Sequence, residues 1–135
     1  MHTIFLFNRS NNFRFFAPTI NFFKEKNVNI TLIEYEADIY KNINKDYLNP
    51  SKLNSEILSN INLIRINTFE EVQNYLVKNL NNYDYIFSID FLYKNSCIIK
   101  DPDLNKILDK WCVISHGMDS FIGLDLKKIY FSYKT

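Results

Sequence analysis

Short apolar runs alternate along this chain with stretches of helical period, and that alternation is the first clue to its architecture. Thr3–Asn8 (TIFLFN) is an apolar, β-prone run of the kind expected for a strand covered on both faces. After the polar segment Asn8–Asn12, Phe16, Ile20 and Phe23 fall on one side of a helix, with Phe15 and Phe22 widening the stripe. Pro18 fits the first turn of that helix, where its missing N–H costs nothing. Lys24–Asn27 ends it, and Val28–Tyr35 (VNITLIEY) is a second strand of alternating character.

The stretch Ala37–Asn60 is polar and interrupted by Pro50, and reads as irregular chain followed by a helix over Ser51–Ser59. Ile61–Asn67 (INLIRIN) alternates strictly, as a third strand would. Thr68 and Glu71 have the spacing of a capping box, and Val72, Leu76 and Leu80 line one face of the helix it opens. Tyr83–Ile89 is a fourth strand. Asp101 then stands as a cap, with Pro102 at the first position of a helix carrying Leu104, Ile107, Leu108 and Trp111 at i, i+3, i+4 and i+7. Cys112–Ser115 is a fifth strand, and Ile129–Tyr133 begins a sixth.

Strands joined by crossover helices imply parallel pairing, because parallel neighbours need a long connection. The pattern therefore predicts an α/β fold: a single three-layer Rossmann-like domain over residues 1–135, with a mostly parallel five- or six-stranded sheet. Such sheets bind ligands beyond the carboxyl ends of their strands, near the point where strand order reverses. The places to search are Asn8–Asn12, Glu34–Asp38, Asn67–Thr68, Asp90 and His116–Asp119.

Composition narrows the function classes. With 135 residues, the chain suits one domain. A net charge of +1 without a Lys/Arg cluster argues against nucleic acid as a partner. No apolar run approaches the ~20 residues of a membrane-spanning helix. Cys97 and Cys112 form no CxxC pair and read as reduced thiols of a cytoplasmic protein. Only two glycines occur, and none lies in Asn8–Asn12, so a dinucleotide or Walker-type phosphate loop is rejected there and no cofactor is implied.

Among the strand ends, His116-Gly117 is the most informative pair. A histidine there can donate a hydrogen bond or take a proton near neutral pH, and the glycine allows close backbone approach. It can equally be a turn histidine bonded to its own backbone. Asp119 adds a carboxylate to the same loop. Asn8, Arg9 and Ser10, with Arg14, offer loop amides and guanidinium groups for an anion, or simply a solvated loop. Asp90 can hold a sugar hydroxyl or cap the next turn. The carboxylates in Asp101-Pro102-Asp103 formally match a metal-binding DxD pattern, but helix capping explains them without a metal.

The run Phe7-Asn8-Arg9-Ser10-Asn11-Asn12-Phe13-Arg14-Phe15-Phe16-Ala17-Pro18-Thr19-Ile20, leading through Phe23–Leu32 into the second strand, resembles the opening of bacterial GT-B glycosyltransferases. His116-Gly117 resembles the His-Gly that ends a late strand in their CDP-glycerol glycerophosphotransferase-like and capsule-biosynthesis branches. Asn27 stands where that family usually has glycine, and the loop after Phe7 lacks the family's frequent Gly and His. The resemblance implies the acceptor-side half of a transferase in cell-surface polysaccharide biosynthesis, acting in the cytoplasm or at the inner face of the membrane. That half would be inactive without a C-terminal nucleotide-binding domain, and the chain would be a truncated or split protein. Its implied partners are that domain or a second copy, and a sugar or polyol-phosphate acceptor. His116 is then the candidate catalytic base or donor. Asn8, Arg9, Ser10, Arg14, Asp90, Gly117 and Asp119 are the candidate substrate-binding residues. The alternative is a self-contained, non-enzymatic flavodoxin-like ligand-binding module.

Overall fold

A computed structural model describes residues 1–7, 13–35, 61–89, 98–100 and 102–114. The elements run β1 (His2–Phe7), α1 (Phe13–Glu25), β2 (Asn29–Tyr35), β3 (Asn62–Ile66), α2 (Phe69–Lys78), β4 (Tyr85–Ser88), α3 (Asp103–Leu108) and β5 (Trp111–Val113). The five strands form one sheet in the order β3-β2-β1-β4-β5, and every neighbouring pair is parallel.

Side-chain alternation along β1 splits the core into two layers. Phe5 and Phe7 point to one face, where Phe16 and Ile20 of α1 meet them together with Ile30 and Leu32. Ile4 and Leu6 point to the other, where Val72 and Leu76 of α2 and Ile107 of α3 pack with Ile33 and Ile86. Helices therefore cover both faces of a parallel sheet, and the chain is a three-layer Rossmann-like α/β domain. The α1 face is aromatic: Phe5 meets Phe16 edge-on at 5.3 Å and stacks on Phe87 at 5.1 Å.

Local chemistry explains the start of one helix and the end of another. At the start of α2, Thr68 Oγ1 accepts from the N–H of Glu71 at 3.2 Å, while Glu71 Oε2 accepts from the N–H of Thr68, so the expected capping box forms. At the end of α1, the N–H of Val28 bonds the carbonyl of Phe23 and the N–H of Asn27 bonds that of Lys24. This is a Schellman closure, and Asn27 supplies its left-handed residue with φ 55°. Asparagine thus fills a position where glycine is the usual choice.

Several boundaries and environments differ from the sequence reading. Helix α1 begins at Phe13, so Pro18 lies inside it rather than in its first turn. Its ring is exposed, and its missing N–H weakens the helix without displacing anything from the core. Phe22 does not widen the buried stripe: it is 54% exposed. Strand β2 does not alternate in burial, since every residue from Ile30 to Tyr35 is buried, as a strand covered on both faces requires. Helix α3 begins at Asp103, and Pro102 takes the cap position without a side-chain bond. Trp111 is the first residue of β5 rather than the last of that helix. Cys112 is half-buried. The helix expected over residues 51–59, the sixth strand expected over 129–133, Asp101 and Cys97 lie outside the described residues.

Candidate functional site

The connection between β1 and β2 runs through α1 on one face, and that between β3 and β4 runs through α2 on the other. Strand order therefore reverses between β1 and β4, which are direct neighbours paired from Thr3↔Tyr85 to Phe5↔Phe87. Parallel strands diverge from their helices at such a reversal and leave a crevice at their carboxyl ends. Phe7 ends β1, Ser88 ends β4, and Val113 ends β5 beside it.

Three of the sequence-predicted segments continue directly from these strand ends. Asn8, Arg9 and Ser10 follow Phe7, Asp90 follows Ile89, and His116, Gly117 and Asp119 follow β5. All seven lie outside the described residues. Arg14 is the second residue of α1. The structure brings together the strands these segments leave from. The other histidine, His2, sits at the opposite end of the sheet. There its Nδ1 contacts the carbonyl of Asn82 at 2.7 Å and its Nε2 contacts Thr31 Oγ1 at 2.8 Å. It is a structural residue at the amino ends of the strands.

At the carboxyl rim Glu34, which heads one of the segments the sequence marked for search, stands beside Arg65, which the sequence reading did not select. The register aligns Phe7, Glu34 and Arg65 in one row across β1, β2 and β3. The side chain of Glu34 is 1% exposed, whereas that of Arg65 is 53% exposed, and Arg65 Nε donates to Glu34 Oε2 at 3.1 Å. Removing a carboxylate from water costs several kcal/mol unless it is paired and hydrogen-bonded, and the guanidinium offsets part of that cost. The signal was present as Glu34 at the end of one apolar strand and an Arg within the next, but only the register joins them.

Arg65 also lines an open groove of about 360 Å³ between the end of β3 and α2. Its other walls are Ile66, Asn67, Glu71, Asn74, Tyr75 and Lys78. The last four repeat at i, i+3, i+4 and i+7 and so share one face of α2. Asn67 and Thr68, two of the strand-end residues flagged by sequence, have their backbone N–H groups occupied by Glu71 Oε2 at 3.1 and 3.2 Å. On the opposite face of α2, Gln73 is fully buried and its Oε1 accepts from the N–H of Ile98 at 2.8 Å. That contact anchors the segment leading to α3.

The fold is that of a Rossmann-like α/β domain whose strand order reverses between β1 and β4. Comparison with protein-family models, curated proteins and solved structures finds no match. Among the described residues, no helix is long and apolar enough to cross a membrane.

Proposed function

We propose that this chain is the acceptor-side half of a GT-B-like glycosyltransferase or glycerophosphotransferase-like protein of cell-surface polysaccharide biosynthesis. It works with a second, nucleotide-binding domain. The observation that supports this reading is the reversal of strand order between β1 and β4. By chain continuity, the segments carrying Asn8, Arg9, Ser10 and Asp90 leave from the two strands at this reversal, and the segment carrying His116, Gly117 and Asp119 leaves from the strand beside them. In this reading Asn8, Arg9, Ser10 and Arg14 receive an anionic acceptor. Asp90 and Asp119 hold hydroxyl groups, Gly117 admits the acceptor close to the backbone, and His116 takes the proton of the attacking hydroxyl or donates a hydrogen bond to the transferred group.

Calorimetry on the chain with polyol phosphates and with nucleotide sugars tests the assignment. Binding of the polyol phosphate without the nucleotide sugar is expected. Tight nucleotide-sugar binding by this chain alone contradicts an acceptor-side role. In the assembly with its nucleotide-binding domain, His116→Ala is expected to lower turnover at least about a hundredfold, the usual scale for general acid–base catalysis. Unchanged turnover removes His116 from the mechanism.

A further inference from the structure

We propose that the groove between the end of β3 and α2 binds a neutral polyhydroxyl unit, a sugar or a polyol, through Asn67, Glu71, Asn74, Tyr75 and Lys78. The balance of charge decides the class of ligand. Arg65 forms part of the wall, but its guanidinium is already matched by the buried carboxylate of Glu34. That leaves Lys78 as one positive charge and Glu71 as one negative charge, both exposed on the same face of α2. Charges that cancel give an anion or a cation no net attraction, and the Glu71 carboxylate repels a phosphate outright.

The hydrogen-bonding groups of the groove are of both kinds. Glu71 Oε2 is taken by the backbone N–H groups of Asn67 and Thr68, which leaves Oε1 as an acceptor. The side-chain amides of Asn67 and Asn74 each offer donors and a carbonyl oxygen, and Lys78 offers an ammonium. Hydroxyl groups use such a mixture fully, because each of them both donates and accepts. Among these polar groups lie Ile66 and the half-buried ring of Tyr75, so the lining is mostly apolar. A largely apolar wall with a few polar groups that fix orientation is the usual make-up of a small-molecule site. The carbon-bound hydrogens of a sugar ring or polyol chain pack on that wall while its hydroxyls reach the amides.

This inference deepens the acceptor-side reading by naming a hydroxyl-rich unit of the acceptor. It rests on that reading only for which sugar or polyol binds. The groove lies at the end of β3, two strands from β1, which is roughly 10 Å at the usual spacing of neighbouring strands. An acceptor reaching from the β1–β4 reversal to this groove is therefore longer than one sugar.

The test titrates the isotope-labelled full chain with glucose, N-acetylglucosamine, ribitol and maltotriose, following amide resonances at low and high salt. Saturable shifts centred on Asn67, Asn74 and Tyr75 are expected with at least one of these probes. The affinity should not change with salt, since no ligand charge is there to be screened. Asn74→Ala, on an exposed helix face, should weaken binding about three- to tenfold, the scale of one net hydrogen bond. Lys78→Ala should weaken it by about the same factor. Asn105→Ala on α3 should change nothing.

No saturable shift with any probe overturns the site. So does undiminished binding by the Asn74→Ala/Lys78→Ala double variant, or inorganic phosphate occupying the groove in preference to the neutral probes. Sugar binding by a chain that never supports transfer retires the transferase reading and leaves the site standing. Transfer without sugar binding in the groove retires the site alone.

Discussion

The indole N–H of Trp111 donates to Ser88 Oγ at 2.7 Å, joining the side chains of two neighbouring strands. Strand β5 has three residues and lies at one edge of the described sheet, where this bond adds to its ladder with β4. Ser88 is itself buried, and its hydroxyl cannot be replaced by water without opening the core. Ser88→Ala should destabilise the chain by about 1 kcal/mol, the cost of leaving a half-buried donor without its partner. Trp111 is the sole tryptophan, so its fluorescence reports on β5 directly. A red-shifted emission and an earlier urea midpoint are expected in the variant. An unaltered spectrum and midpoint would show that β5 is held by other contacts.

Tyr83 links stability to alkaline pH. Its hydroxyl donates to the carbonyl of Leu76 at 2.9 Å, and burial raises its pKa well above the ordinary tyrosine value. The unfolded chain ionises this phenol near its usual value of about 10, whereas the folded chain keeps it neutral. The stabilisation is therefore complete below about pH 10 and is lost as pH rises from there towards the folded-state pKa. Denaturant midpoints measured across that range should fall more steeply for the wild type than for Tyr83→Phe. Parallel slopes would mean that this phenol titrates alike in both states.

The left-handed residue closing α1 makes Asn27 a site where stability can rise or fall. Glycine adopts φ 55° without a Cβ penalty, and alanine does not. Asn27→Gly should leave stability unchanged or raise it by up to about 0.5 kcal/mol, while Asn27→Ala should lower it by about 1 kcal/mol. Thermal unfolding of the pair checks the ordering. Alanine proving as stable as glycine would mean that the closure opens in solution.

Removing the capping hydroxyl should loosen the first turn of α2. Thr68→Ala is expected to cost about 1 kcal/mol, because the N–H of Glu71 loses its acceptor. Glu71→Gln keeps an oxygen for the N–H groups of Asn67 and Thr68 but loses the negative charge beside the helix start. It should cost only about 0.3–1 kcal/mol. Chemical denaturation of both single variants and the double variant should show losses that fail to add, since the two residues act as one reciprocal unit.

Local features were readable from sequence wherever their cause was local. The apolar run Ile4–Phe7 made a strand, and the spacing of Thr68 and Glu71 made a cap. The apolar triplet of Phe16, Ile20 and Phe23 made the inward face of a helix. Errors arose where neighbours distant in the chain set the outcome. Trp111 continued a helical period and was assigned to the helix, but its partner Ser88 lies 23 positions earlier and draws it into the sheet. Phe22 had the hydrophobicity of a core residue, but it packs only beside Phe23 and Lys26 on its own helix end and stays largely exposed. For the candidate site, the sequence pointed to segments at the carboxyl ends of all five strands but passed over Arg65 inside an alternating strand.

Strand–helix alternation was enough to establish the parallel α/β class, because crossover length and period are properties of contiguous residues. It did not establish the order β3-β2-β1-β4-β5, the reversal between β1 and β4, or the meeting of Glu34 with Arg65. Those depend on which strands lie side by side and in what register. That choice is made by packing both layers of the core at once, and residues 31 positions apart exert no pull on each other until it has been made.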